Sequence, residues 1–230
     1  MVSCIKDNLE RIGEAMENAA IRSGRAAGEV RLVVVAKTRT VDEIAEVVLC
    51  GVKEIGENRA QELEEKRRLW SGGDVVWRFI GHLQRNKVRK AIEFASTVDS
   101  VDSTRLAGTL SRVAMEKELV LPVLVEVNTS GEESKHGVDP SRARELVEFV
   151  VEDCPGLKLD GLMTIGPLTD DESAVRRAFS SLREIRDEMS RDFELPLAEL
   201  SMGMSGDFEL AIQEGSTMVR IGSAVFGSRH

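Results

Sequence analysis

Along the chain, short apolar runs rich in valine and isoleucine alternate with longer stretches in which apolar positions recur every three or four residues. The first pattern suits buried strands and the second amphipathic helices, so their alternation reads as successive βαβ units. The short runs lie at 31–36, 52–56, 76–80, 96–99, 121–127, 159–163, 198–201 and 218–221, and a helical candidate follows each. Start signals mark several of those helices. Thr40 with Glu43 and Asn58 with Gln61 have the spacing of a capping box, and Asp139-Pro140 places an N-cap residue before a proline at the first helical position. A further amphipathic segment within residues 1–27 precedes the first strand.

Eight strands alternating with helices in 230 residues predict an α/β fold, a single (β/α)8 TIM barrel over 31–230 with an extra N-terminal helix. The alternative, an open doubly wound sheet, usually has fewer strands. The whole of 1–230 is then one domain, large enough to bury a core without disulfides.

Composition narrows the function. Hydrophobic residues make up 42% and charged residues 31%, the balance of a globular chain. A net charge of −9 weighs against nucleic acid or an anionic membrane as the main partner. The basic runs Lys66-Arg67-Arg68 and Arg85-Asn86-Lys87-Val88-Arg89-Lys90 fall on predicted helices and read as solvated faces. Cys4, Cys50 and Cys154 are odd in number, far apart and without histidine at ligand spacing, so neither a disulfide framework nor a zinc site is indicated. With no apolar leader and no membrane-length run, a soluble protein of the reducing cytosol is expected.

Candidate chemistry starts at Lys37, which closes the run Leu32-Val33-Val34-Val35-Ala36 and is followed by Thr-Arg-Thr. A barrel has its active site at the C-terminal ends of the strands, often with phosphate held by the loops after strands seven and eight. A lysine there either snorkels into water or serves as an imine-forming amine, and Lys37 alone does not decide between them. Met218-Val219-Arg220-Ile221-Gly222-Ser223 runs from the eighth strand into a turn that can point backbone N–H groups and a hydroxyl at an anion. The seventh strand exits through Ser201-Met202-Gly203-Met204-Ser205-Gly206, adding two hydroxyls, although Ser205 also reads as a helix cap. A phosphate cup facing a strand-end lysine suits a phosphorylated molecule that carries an aldehyde.

The segments VVVAKTRTVDEI, GVKEIGENRAQE, WRFIGHLQRNKVRK, VEVNTSGEESKHGV, GLMTIGP, LSMGMSGDFELAI and VRIGSAVFG occur in that order over almost the whole chain. They resemble the pyridoxal 5′-phosphate (PLP) homeostasis protein family, also called the YggS or PROSC family. That family is similar to the N-terminal barrel of alanine racemase, a fold-type III PLP architecture, without the racemase's C-terminal β domain; this sequence, too, stops at the end of strand eight.

The resemblance implies PLP as cofactor, held as an internal aldimine on Lys37. It implies phosphate binding by Ser201, Gly222 and Ser223, where the family often has threonine at the Ser223 position, and places Arg220 beside the pyridine nitrogen. An arginine keeps its proton, so the ring nitrogen stays unprotonated and the cofactor is a weaker electron sink. Asn58 in the GEN motif stands near the cofactor face, a role compatible with the cap. His82 in GHLQ either lines the pocket or is a satisfied structural histidine. His136 and His230 receive no role, and Met202 and Met204 pack around the site.

Two functions of different class follow. One is a carrier that buffers PLP and delivers it to PLP-dependent apo-enzymes without strong turnover. The other is an amino-acid racemase with Lys37 as one base. Racemisation needs a second acid or base on the opposite ring face, filled in alanine racemases by a tyrosine of the absent domain. This chain has no tyrosine at all, which favours the carrier. Without the second domain's contacts a monomer is expected. A third possibility, a sugar-phosphate barrel without imine chemistry, would use Glu57, Asp99, Asp102 or Glu126, but none forms a recognised pair by spacing, and Glu57 and Asp102 read as helix N-terminal charges.

Overall fold

Each predicted strand forms, and together they close on themselves. In a computed structural model of the chain, describing residues 5–132 and 134–227, parallel strands β1 (Arg31–Val35), β2 (Glu54–Glu57), β3 (Val76–Phe79), β4 (Thr97–Val101), β5 (Leu121–Glu126), β6 (Leu157–Met163), β7 (Glu199–Ser201) and β8 (Met218–Ile221) pair in sequence order, and β8 returns to β1. Helices α2 (Val41–Leu49), α3 (Ala60–Leu69), α4 (Val88–Phe94), α5 (Thr104–Glu116), α6 (Ala143–Asp153), α7 (Glu172–Asp192), α8 (Phe208–Gln213) and α9 (Ser223–Phe226) follow the strands in turn. The expected boundaries shift by up to two residues; β4, for example, continues past Asp99 to Val101. No helix among the described residues is long and apolar enough to cross a membrane. Cys4 and His230 lie outside the described residues.

The extra helix α1 (Ile5–Arg22) buries Asn8, Ile12, Met16, Ala19 and Ala20, one face at helical spacing, and packs on α8 and α9. Asn8 Nδ2 donates to the Val225 carbonyl at 2.8 Å, and just beyond α1 Arg25 Nη1 donates to the Ser216 carbonyl at 2.7 Å. These long-range ties fix the chain around β8, where the phosphate cup was expected.

Local signals hold with one exception. Thr40 Oγ1 accepts from the Glu43 N–H while the Thr40 N–H donates to Glu43 Oε2 at 2.7 Å, a complete capping box. Asp139 Oδ1 accepts from the Ser141 N–H at 2.9 Å and opens a 3₁₀ turn, Pro140–Arg142, that leads into α6. Asn58, however, caps nothing: α3 begins after Arg59 and has no side-chain cap. The backbone of Asn58 is pressed against Gly81, where an added Cβ would lie 2.4 Å from the Asn58 carbonyl oxygen. Its Oδ1 is buried there without a hydrogen-bond partner.

The barrel interior is split. Val33, Leu124, Met163 and Met218 form a small apolar cluster separate from the main core between strands and helices. Other interior positions carry charge. Arg78 on β3 binds Glu54 of β2 through Nε, and its Nη1 reaches both oxygens of Asp99 on β4 at 3.0 Å. All three are buried. Barrels are more often filled here by branched aliphatic residues.

Candidate active site

The ladder of β1 continues one residue past the strand, where the Ala36 N–H donates to the Gly56 carbonyl at 3.0 Å. Lys37 therefore stands just beyond the strand end, and its side chain is exposed and makes no hydrogen bond or ion pair among the described residues. Its backbone, by contrast, is held on both sides. Lys66 Nζ donates to the Ala36 carbonyl at 2.7 Å, and the Thr38 N–H donates to Glu62 Oε2 at 2.8 Å. Thr38 has φ of 63°, a left-handed conformation that costs a β-branched residue on the order of 1–3 kcal/mol. The α3 side chains that hold it thus aim a free amine from a fixed, strained backbone.

Lys66 corrects the solvated-face reading of its basic run. It is only 7% exposed and pairs with Glu57, itself fully buried. Burial raises the Glu57 carboxyl above its ordinary value, against the pull of the Lys66 ammonium. Glu57 is therefore part of this support and not a free helix-terminal charge.

On the neighbouring strand β8, where the barrel closes against β1, Arg220 is 4% exposed. Its Nη1 donates to Ser201 Oγ at 2.7 Å and its Nη2 to the Thr164 carbonyl at 2.8 Å. Burial lowers its pKa, while Asp99, Glu126 and Asp207 oppose that shift; the guanidinium remains charged. Ser201, expected in the phosphate cup, lies wholly buried and orients Arg220. The hydroxyls that do meet are Ser205 and Ser223, 3.1 Å apart, and Ser205 Oγ also accepts from the Ala224 N–H at 3.3 Å. Ser205 is not a cap, since the residue before α8 is Asp207.

Lys37, Arg39, Arg220, Ser205, Gly222 and Ser223 line one cavity of about 380 Å³, in the range of small-molecule sites. Three of its lining residues are cations and none is a carboxylate, on a chain of net charge −9. Arg39, which the sequence reading passed over, is steered by Glu43 at 3.2 Å and lies over the Phe226 ring. Met204 lines the cavity and Met202 is buried in the core.

Asn58 and His82 are not part of that lining; they stand at the exits of β2 and β3. The His82 ring stacks on His136 with centroids 4.0 Å apart, and its Nδ1 lies 3.0 Å from Asp102 Oδ2. Of the cysteines, Cys50 is exposed, and burial pushes the Cys154 thiol up to about 11.

Glu126 at the end of β5 is 3% exposed, and burial pushes its carboxyl up to about 7. The nearby Arg220 guanidinium pulls it back and the Asp102 carboxylate adds to the rise. From an ordinary value of 4.5 to about 7, the folded protein keeps a proton that the unfolded chain releases. This group's stabilisation is complete below about pH 4.5 and lost as pH climbs through 7, a change of up to about 3 kcal/mol. Urea unfolding of wild type and Glu126→Gln should show a stability difference that moves in favour of the variant between pH 5 and 8; a pH-independent difference would contradict this origin.

A closed (β/α)8 barrel with a lysine past the first strand and a cation-lined cavity at the ends of the first and last two strands defines the class of the alanine racemase N-terminal barrel. The family model for the alanine racemase N-terminal domain matches residues 8–230. Alanine racemase of Clostridium difficile 630 shares the fold, with a TM-score of 0.75 at 19% identity over 97% of this chain and 57% of that one. Within this class, the chain belongs to the pyridoxal phosphate homeostasis protein family. It is 42% identical to the pyridoxal phosphate homeostasis protein of Aquifex aeolicus, over 97% of each chain, and 40% identical to that of Homo sapiens, over 96% of this chain and 85% of the human one. PipY of Synechococcus elongatus, solved with PLP bound, matches with a TM-score of 0.81 at 33% identity over 93% of this chain and 99% of that one.

Proposed function

We propose that the chain binds PLP in this cavity and serves its intracellular homeostasis, holding the cofactor covalently through Lys37 Nζ and handing it to apo-enzymes without strong turnover of its own. The observation that carries the reading is the lining: three cations, paired hydroxyls and no carboxylate around a space of about 380 Å³. Those groups fit the cofactor's donor requirements. Ser223 and Ser205 offer hydroxyls to a phosphate, and Gly222 lets the backbone come close to it. Arg220, donor-only and held from behind by Ser201 and Thr164, selects an acceptor such as an unprotonated ring nitrogen. Lys37, aimed but unpaired, is available to bond the aldehyde carbon. When bound, the cofactor supplies an electrophilic carbonyl and an electron-accepting ring. Asn58 and His82 flank this arrangement from the β2 and β3 exits. The protein acts as a cytosolic monomer.

The test compares PLP with pyridoxal, which lacks the phosphate. Wild type should retain one PLP per chain through gel filtration, and the Ser205→Ala/Ser223→Ala variant should bind PLP roughly tenfold more weakly, about 1.4 kcal/mol, while its pyridoxal affinity stays the same. Alanine and serine racemisation should not exceed a heat-killed control. Equal losses for both ligands would refute the phosphate assignment, and robust Lys37-dependent racemisation would favour the enzyme.

A further inference from the structure

The cluster that the cavity leaves unused lies across the exits of β3, β4 and β5. His82, Asp102 and His136 each present one donor atom, and all three atoms fall within 4.8 Å of one another. We propose that these residues form a binding site for a borderline divalent transition metal, of which Zn²⁺ is the representative.

The donors come from three separate loops, each fastened by its own contacts. His82 follows Gly81, whose carbonyl accepts from Ser100 Oγ at 2.5 Å. Asp102 receives Ser103 Oγ on Oδ1 at 3.0 Å, which leaves Oδ2 turned toward His82. His136 precedes Gly137, where φ is 111° and an added Cβ would lie 2.7 Å from the Asn128 nitrogen. That close approach folds the loop back on β5: the Val138 N–H donates to the Glu126 carbonyl at 2.8 Å, and the Asn128 N–H to the Val138 carbonyl at 2.9 Å. Each donor's loop is thus held by contacts of its own, in addition to the contacts that His82 makes with Asp102 and His136.

The donor chemistry selects the ligand. Two imidazoles and one carboxylate are the set favoured by Zn²⁺, at about 2.0–2.2 Å per bond, and disfavoured by Mg²⁺ and Ca²⁺, which prefer oxygen alone. Donors bound to one tetrahedral ion at those lengths lie about 3.3–3.6 Å apart, so atoms that now fall within 4.8 Å of one another must close by up to about 1.5 Å. The two rings are stacked with 11° between their planes and both side chains are exposed, so binding one ion requires the rings to turn their nitrogens toward a common point. Three protein ligands leave a position for water or a transferable ligand, unlike a closed structural site. A bound ion would clasp the β5–α6 loop to the β3 exit. Spacing rules miss such a site because its ligands are 20 and 34 residues apart in sequence.

The probe is Zn²⁺ alone, offered to the full chain in cofactor-free buffer from a chromophoric chelator. Wild type should withdraw one Zn²⁺ per chain, and His136→Ala and Asp102→Asn should each weaken binding by roughly tenfold or more, with unchanged circular dichroism. Cys50→Ser should bind as wild type does. Crystals with Zn²⁺, measured at the zinc absorption edge, should place the anomalous peak among His82, Asp102 and His136. Equal Zn²⁺ uptake by wild type and His136→Ala, or a peak elsewhere, would overturn the proposal and leave the histidines as a stacked pair only. None of these readouts depends on PLP.

Discussion

Lys37→Ala is expected to abolish the covalent PLP adduct. Wild type mixed with PLP should develop an absorbance band distinct from that of the free aldehyde, and borohydride should fix the cofactor to Lys37 in the digested protein; the variant should do neither. The reasoning is geometric. The carbonyl before Lys37 and the amide after it are tied to Lys66 and Glu62, so the amine is delivered to the cavity mouth from a fixed position. Holding a reactant in place in this way replaces a bimolecular encounter with an intramolecular one. Arg39 also lines the cavity, but a guanidinium keeps its proton and is no nucleophile. Because Lys37 is exposed and makes no contact that the fold relies on, its loss should change stability by less than about 0.5 kcal/mol. Borohydride trapping on another lysine, or an unchanged band in the variant, would defeat the covalent assignment. Retained phosphate-dependent binding without a band is compatible with the cup alone and would separate the two parts of the site.

The second large effect concerns the fold. Arg78→Ala should destabilise the protein by about 3–5 kcal/mol, because it strands Glu54 and Asp99, both buried, without their counter-charge. For a chain of this size that corresponds to a fall in Tm of roughly 10 °C. Glu54 also pairs with Arg31 at 2.9 Å, so it keeps an ion pair, whereas Asp99 keeps the Thr97 hydroxyl at 2.6 Å and only the longer-range field of Arg220. Adding Asp99→Asn to Arg78→Ala should therefore recover part of the loss, which distinguishes a stranded charge from a simple cavity. A shift of less than about 2 °C in the single variant would mean that water or rearrangement screens these carboxylates, and that the interior charges do not hold the strands together.

The interior charges also show what a linear reading misses. Strands are expected at 76–80 and 96–99 and form at Val76–Phe79 and Thr97–Val101, yet Arg78 and Asp99 fall at inward positions where the expected fill is aliphatic. Their alternation with Trp77, Phe79 and Val98 was visible in the sequence. Their partnership was not, because the order of strands in a barrel does not give the register and side-chain reach that bring Arg78 to Asp99. Lys66 is a similar case. On a helix rich in lysine and arginine it looked solvated, and only the approach of Glu57 and the Ala36 carbonyl makes its burial tolerable. Asn58 fails as a cap because α3 starts one residue later, after Arg59, while the Asn58 backbone lies against Gly81.

The sequence by itself determined the eight strands, their helices, the complete cap at Thr40, and the placement of Lys37, Gly222 and Ser223 around one cavity. Those features follow from local periodicity and from the rule that a parallel barrel presents its strand ends on one face, which needs no knowledge of contacts. Only the tertiary structure set Ser201 against the Arg220 guanidinium, joined Ser205 to Ser223, and stacked His82 on His136. Each of these depends on where a side chain meets atoms 18 to 54 residues away in sequence. Hydrogen bonds and ring contacts act over a few ångströms, so a choice among such partners is made only when the barrel closes and brings them within reach.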